Sequence, residues 1–100
     1  MRQYEIGGRP ESVLMRVETA VHQRGFDRVG VLGLGENERT FEGRTGCLGS
    51  FMMSTSEYVR VSAVAQDGDR TLLLVNANKR RNEQPFDDVL VQELGATRVD

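Results

Sequence analysis

Cys47 and His22 are the side chains of this sequence whose types could act together in nucleophilic catalysis. A thiolate becomes an effective nucleophile when an imidazole takes its proton, and Cys47 lies between Gly46 and Gly49, residues that favour a flexible backbone. His22, however, falls about 140° from the apolar stripe of the first predicted helix at ~100° per residue, and so points to solvent. We therefore expect Cys47 to be a small packing residue, with a cysteine enzyme as the alternative.

Paired carboxylates are a second arrangement with chemical potential. Glu38 and Glu42 share one face of a predicted strand with Thr40, and two such groups could serve as acid and base or hold a hard cation. Alternating charge is also typical of an exposed strand that resists edge-to-edge aggregation. We expect the second role and no catalytic residue, and an enzyme using these carboxylates remains part of the alternative.

A basic run, Lys79-Arg80-Arg81, follows the last long predicted strand and is surrounded by Asn and Gln. Guanidinium and ammonium groups bind phosphates, and neighbouring amides add directional hydrogen bonds. No aromatic residue is interleaved for base stacking. The sequence therefore favours a solvated loop, and phosphate or nucleic-acid binding through this run is a further alternative.

Several classes of cofactor site are excluded by residue counts and spacing. One cysteine and one histidine allow neither an internal disulfide nor the common multi-ligand metal sites. Gly33-Leu34-Gly35 is followed by Glu38 where a dinucleotide motif needs its third glycine, and no phosphate-binding loop sequence is present. We expect no cofactor and no metal.

The whole chain has the size and charge of a single small domain, residues 1–100. It carries 28% charged residues and a net charge of −2, without the basic excess of a nucleic-acid-binding protein. The longest apolar run, Leu72 to Val75, is far shorter than the roughly 20 residues of a membrane span. We expect a cytoplasmic protein with neither a nucleic-acid nor a membrane partner.

Two amphipathic helices are predicted from apolar spacing. The first runs from Pro10 to Arg24 and ends at Gly25; the second follows Pro85 and ends at Gly95. Their apolar stripes contain Val13, Leu14, Val17, Ala20 and Val21 in the first helix, and Phe86, Val89, Leu90 and Leu94 in the second.

Strands are predicted over residues 2–6, 28–34, 38–44, 58–65 and 71–75. The last two form a hairpin around Asp67-Gly68. A two-residue loop there would place Ala63 opposite Leu72 under the helices, and would place Leu73 and Val75 on the other face. The order strand, helix, four strands, helix predicts an α+β two-layer sandwich, with a mainly antiparallel sheet of four or five strands and both helices on one face.

Residues 40–87 carry short motifs in this same order: Gly43-Arg44-Thr45-Gly46, Ser50, Glu57-Tyr58-Val59, Gln84 and Asp87. In this respect the chain resembles a family of small uncharacterised bacterial α+β domains. The resemblance covers about half of the chain. It implies the same order of elements, and it implies no assigned reaction and no functional residue.

Residues 45–56 are uncharged, although the rest of the chain is rich in charge. Adjacent methionines give such a segment an adaptable apolar surface, and the second sheet face also carries more apolar side chains than solvent exposure requires. We therefore expect a non-enzymatic binding module whose partner is a second copy in a homodimer, a larger protein, or a small apolar ligand. The predicted contact residues are Leu48, Phe51, Met52, Met53, Tyr58, Arg60, Leu73 and Val75.

Overall fold

A computed structural model describes residues 1–29, 37–43, 58–78 and 80–99 of the chain. Its strands are β1 (Arg2–Gly7), β2 (Phe26–Val29), β3 (Glu38–Gly43), β4 (Tyr58–Gln66), β5 (Arg70–Ala77) and β6 (Thr97–Arg98). Its helices are α1 (Pro10–His22) and α2 (Glu83–Asp88); a 3₁₀ turn, Arg80–Asn82, precedes α2, and a wider π-helical turn, Val89–Glu93, follows it.

The described strands form one antiparallel sheet in the order β2-β3-β4-β5-β1-β6. The predicted α+β class and element order are confirmed. The sheet has six strands, rather than four or five, because β6 pairs with β1 opposite Tyr4 and Glu5. Two residues are too few for any periodic pattern to predict.

Helix α1 forms where the sequence predicted it. Pro10 occupies the first helical turn, where its missing N–H is not needed. The stripe of Val13, Leu14, Val17 and Val21 is buried, and Gly25 follows with a φ of 96°, a left-handed conformation that glycine adopts without strain.

Helix α2 begins at Glu83, so Pro85 lies in its first turn rather than before it. Phe86, Val89 and Leu90 are buried as predicted. After Asp88 the backbone widens, and the Leu94 N–H donates to the Val89 carbonyl at 3.0 Å. Gly95, with a φ of 75°, then redirects the chain toward β6.

The hydrophobic core lies between one face of the sheet and the helical segments. The buried side chains of α1, α2 and the π-helical turn belong to the same cluster as those of the central strands. Phe86 packs edge-on against Phe26 with ring centroids 4.9 Å apart, and at 5.9 Å from Phe41. These contacts fix the helical layer over the sheet. We call this side of the sheet the covered face and the opposite side the open face.

The β4–β5 hairpin differs from its predicted register by one residue. Its turn contains three residues, Asp67 to Asp69, and both Gly68 and Asp69 have positive φ angles, 74° and 56°. Ala63 therefore lies opposite Leu73, and Val61 opposite Val75. The predicted two-residue loop was wrong because Asp69, a residue type that tolerates the left-handed region, extends the turn.

This shift exchanges the two faces of β5. Leu73 and Val75 lie on the covered face, where they are 0% and 3% exposed, instead of on the open face. Leu72 and Leu74 take the open face and are half-buried. A one-residue slip always has this effect, because successive side chains of a strand alternate between faces.

Candidate functional site: the open sheet face

The open face is defined by the strand register, since directly opposite residues point to the same side of a sheet. In the direction across the strands, Val29 lies opposite Thr40, Thr40 opposite Arg60, and Arg60 opposite Asn76. Further rows of the face contain Glu38, Ser62, Leu74 and Gln3, and then Val64, Leu72 and Glu5.

Three apolar side chains form a continuous group on this face, which we call the apolar patch: Val64, Leu72 and Leu74. Val64 lies directly opposite Leu72 and is 46% exposed. At the edge of the patch, the Arg70 Nε lies 3.8 Å from the Glu5 Oε1. The patch itself carries no charge, so another apolar surface can cover it without burying an ion.

A depression of about 630 Å³, the polar groove, lies on the same face. The described residues that line it are Val29, Thr40, Tyr58, Arg60, Asn76 and Asn78. Arg60 precedes Val64 by four residues along β4, so these two residues are about 13 Å apart at ~3.3 Å per residue. The open face therefore presents two chemically different surfaces side by side.

One end of the polar groove is held by reciprocal hydrogen bonds between Tyr58 and Asn78. The Tyr58 N–H donates to the Asn78 Oδ1 at 2.8 Å, and the Asn78 N–H donates to the Tyr58 carbonyl at 3.0 Å. These bonds extend the β4–β5 pairing beyond the end of β5. They fix the backbone of Tyr58, whose side chain is 38% exposed.

The other polar side chains of the groove lack partners within the described part of the chain. Arg60 and Asn76 are exposed, and neither makes a side-chain hydrogen bond or ion pair with a described residue. Thr40 is only 6% exposed, and its hydroxyl is buried without a hydrogen-bond partner. Leaving a buried hydroxyl unpaired costs about 1–3 kcal/mol, and Thr40 is one of the residues that line the groove.

The main polar network on the helical side joins β1 to α2 and has a different character. The Tyr4 hydroxyl donates to the Asp87 Oδ1 at 2.9 Å, and the Arg2 Nε lies 3.0 Å from the Glu83 Oε2. Burial of Tyr4, followed by its hydrogen bond to Asp87, raises the pKa of its phenol to about 12. The Arg2 Nη1 is buried without a hydrogen bond to any described residue and lies 3.6 Å from the Asp87 Oδ1. Because the network connects two structural elements, we interpret it as a structural connection rather than a site.

The structure places two of the predicted contact residues, Tyr58 and Arg60, on the open face beside the groove. Leu73 and Val75 were placed there wrongly, because the three-residue turn moves them to the covered face. Thr40, Val64, Leu72, Leu74 and Asn76 were not predicted as contact residues. The correct length of the turn was the signal that could have identified the leucines.

Other predicted residues fall outside the described part of the chain: Cys47, Leu48, Phe51, Met52, Met53 and Lys79. Arg80 and Arg81 are exposed in the 3₁₀ turn before α2. His22 is exposed as expected, and its Nδ1 lies 2.9 Å from the Asp27 Oδ1. The described residues thus give the imidazole a carboxylate neighbour and do not place Cys47 relative to it.

Glu38 and Glu42 lie on the open face, on either side of Thr40 along β3. In the described ranges no group of three or more His, Cys, Asp or Glu side chains has a geometry that could hold a metal ion. The two carboxylates therefore contribute negative charge at the margin of the groove, which bears on the charge of any ligand that binds there.

Comparisons with known proteins gave no match to any family model, to any curated protein or to any solved structure. Among the helices of the described residues, none has the length and apolar character to cross a membrane.

Proposed function

We propose that this protein is a non-enzymatic binding module that associates with a second copy of itself through the open sheet face. The observation that carries the proposal is the apolar patch of Val64, Leu72 and Leu74 on the side of the sheet opposite the core. Exposed apolar surface in a continuous group favours association. We also propose a cytoplasmic location, in keeping with a single cysteine that cannot form an internal disulfide.

A second copy suits the patch because a twofold interface brings the same surface of both subunits together. The Val64–Leu72 pair can pack against the same pair of the other copy, and no like charges meet at the centre because the patch is uncharged. The Arg70–Glu5 pair at its edge offers both signs of charge to the other subunit. Contact between the two patches forms a shared apolar layer and leaves the polar groove outside it.

The test is the mass of the native protein, measured by native mass spectrometry and by light scattering at micromolar concentration. We expect a dimer for the unmodified chain and a monomer for Val64→Lys, because the substitution places a charge in the shared layer. Val64 suits this test because its exposure lets a lysine remain solvated in the monomer. Circular dichroism checks that the variant is folded.

Met15→Lys is the matched control, since Met15 is an exposed apolar side chain on α1, away from the open face. This variant should remain dimeric. A folded Val64→Lys dimer, or an unmodified chain that is monomeric, would overturn the proposal. A monomer that retains an additional small mass, lost in Val64→Lys, would instead identify a small apolar ligand as the occupant of the patch.

A further inference from the structure

We propose that the polar groove binds a small organic carboxylate, with the Arg60 guanidinium on the carboxylate and the Thr40 hydroxyl at the floor. This site is separate from the apolar patch, and it does not depend on self-association. The observation behind it is that several polar groups, unpaired within the described ranges, surround one depression of the open face.

Several polar side chains of the groove lack partners among the described residues. Arg60 forms no ion pair with a described residue, although other arginines such as Arg2, Arg24 and Arg28 do. The register places it directly between Thr40 and Asn76. A guanidinium, an amide and a hydroxyl thus converge on one row of the sheet, and together they offer several hydrogen-bond donors to an oxygen-rich group.

The buried hydroxyl of Thr40 lacks a hydrogen-bond partner in the described part of the chain. A polar side chain in a protein interior normally has a partner, and this one has none among the described residues. A ligand whose binding opens access to this hydroxyl would supply the missing hydrogen bond. Binding of a polar ligand is therefore more favourable here than in a groove whose polar groups are already hydrogen-bonded.

The charges around the groove favour a singly charged anion. Arg60 attracts an anion, and its planar guanidinium matches the two oxygens of a carboxylate. Glu42 lies opposite Tyr58, and Glu38 opposite Ser62, so each glutamate is a diagonal neighbour of Arg60 on the open face. Two nearby carboxylates repel a dianion more than a monoanion, which favours a carboxylate over a phosphate.

The walls of the groove suit an apolar ring as the remaining part of the ligand. Val29 and the half-exposed ring of Tyr58 give the groove apolar walls beside its polar row. The volume of about 630 Å³ is that of a typical small-molecule site. A flat ring that bears one carboxylate fits both features, because its ring can pack on Tyr58 while its carboxylate faces Arg60.

Benzoate is the probe we would use, in a titration of the ¹⁵N-labelled chain followed by NMR. We expect saturable shifts at the backbone amides of Thr40, Arg60 and Asn76. Benzamide has the same shape without the charge and should bind at least tenfold more weakly. Inorganic phosphate should also bind more weakly than benzoate, since it carries more negative charge without an apolar body.

Substitutions distinguish specific binding in the groove from nonspecific attraction of an anion to any exposed arginine. Arg60→Gln should weaken benzoate binding at least tenfold. Arg70→Gln is the matched control, an arginine at the far end of the same face, and should bind like the unmodified chain. Thr40→Val, which replaces the hydroxyl with a methyl group of similar size, should weaken binding severalfold.

The proposal would be overturned by an absence of saturable shifts, by equal binding of benzamide, or by an Arg60→Gln variant that binds normally. Phosphate binding at or above the level of benzoate would overturn the assignment of a carboxylate. Light scattering on the same samples reports self-association independently. A monomer that binds benzoate would contradict only the proposed dimer, and a dimer that does not bind it would contradict only the groove.

Discussion

The two faces of this sheet are built from alternate residues of the same strands, yet one is buried under the helices and the other is partly exposed. On the covered face, Leu73 is fully buried and Val61 lies beneath the helical layer. On the open face, Leu72 is half-buried and Val64 is exposed. Residue type alone does not distinguish Leu72 from Leu73. The length of the turn decides which leucine enters the core.

The faces also differ in whether a buried threonine hydroxyl has a hydrogen-bond partner. Thr71 on the covered face is fully buried, and its Oγ1 donates to the Gly8 carbonyl at 2.7 Å. Thr40 on the open face is nearly as buried and has no partner in the described ranges. An unsatisfied polar group within a sheet is a cost to folding, and under our proposal a ligand in the groove offsets that cost.

The largest effect that would test this comparison is the difference between two neighbouring leucines. Leu73→Ala should destabilise the protein by about 2–5 kcal/mol, because it leaves a cavity in the core. Leu72→Ala should cost less than about 1 kcal/mol, because its side chain is partly solvated in the single subunit. The free energies of unfolding from urea denaturation at low protein concentration give both values.

This pair of variants is its own control, because the same atoms are removed from adjacent positions. A larger loss at Leu72 would mean that the hairpin has the two-residue register instead, and equal losses would contradict the difference between the two faces. Val75→Ala repeats the test on the covered face and should follow Leu73 in direction.

The second effect is a loss of stability at alkaline pH that originates at Tyr4. Its pKa rises from 10.0 to about 12 in the folded state, so the folded protein holds the phenolic proton more tightly than the unfolded chain. The stabilisation is complete below pH 10 and is lost as the pH rises from 10 to 12. A shift of this size corresponds to about 3 kcal/mol. Urea denaturation across that interval measures it.

Tyr4→Phe should have a much flatter stability profile between pH 10 and 12. The chain suits this measurement because Lys79 is its only lysine and arginine stays charged in this range. Tyr58→Phe leaves Tyr4 as the only tyrosine, so absorbance then reports its ionisation directly. Ionisation of Tyr4 near pH 10 in the folded Tyr58→Phe variant would contradict this account.

The sequence predicted the elements well where periodicity was complete. The stripes of α1 and α2 and the alternation of Val59, Val61 and Ala63 identified core residues correctly. Leu72 to Val75, in contrast, is a continuous apolar run, so its pattern does not specify a face. Its register depended on a turn whose third residue, Asp69, adopts a conformation that sequence alone does not require.

The candidate site was predicted only in part for a related reason. Tyr58 and Arg60 were assigned correctly to the open face from their own strand. Thr40 and Asn76 become their neighbours only through the pairing of β3, β4 and β5, which joins residues far apart in the sequence. The missing partner of the Thr40 hydroxyl is a property of the packed structure, and no local pattern reveals it.

The smallest predicted effect is a change in stability when a buried threonine is replaced by valine. It is also the most specific, because the sign of the change differs between the two faces. Thr40→Val should stabilise the free protein by about 1 kcal/mol, since it removes an unpaired buried hydroxyl and keeps the β-branched shape. Thr71→Val should destabilise it by about 1 kcal/mol, since it leaves the Gly8 carbonyl without its donor. Thermal and urea unfolding would show the two shifts in opposite directions. A loss of stability in Thr40→Val would mean that its hydroxyl already has a partner, and the groove would then lack the hydrogen-bonding group at its floor.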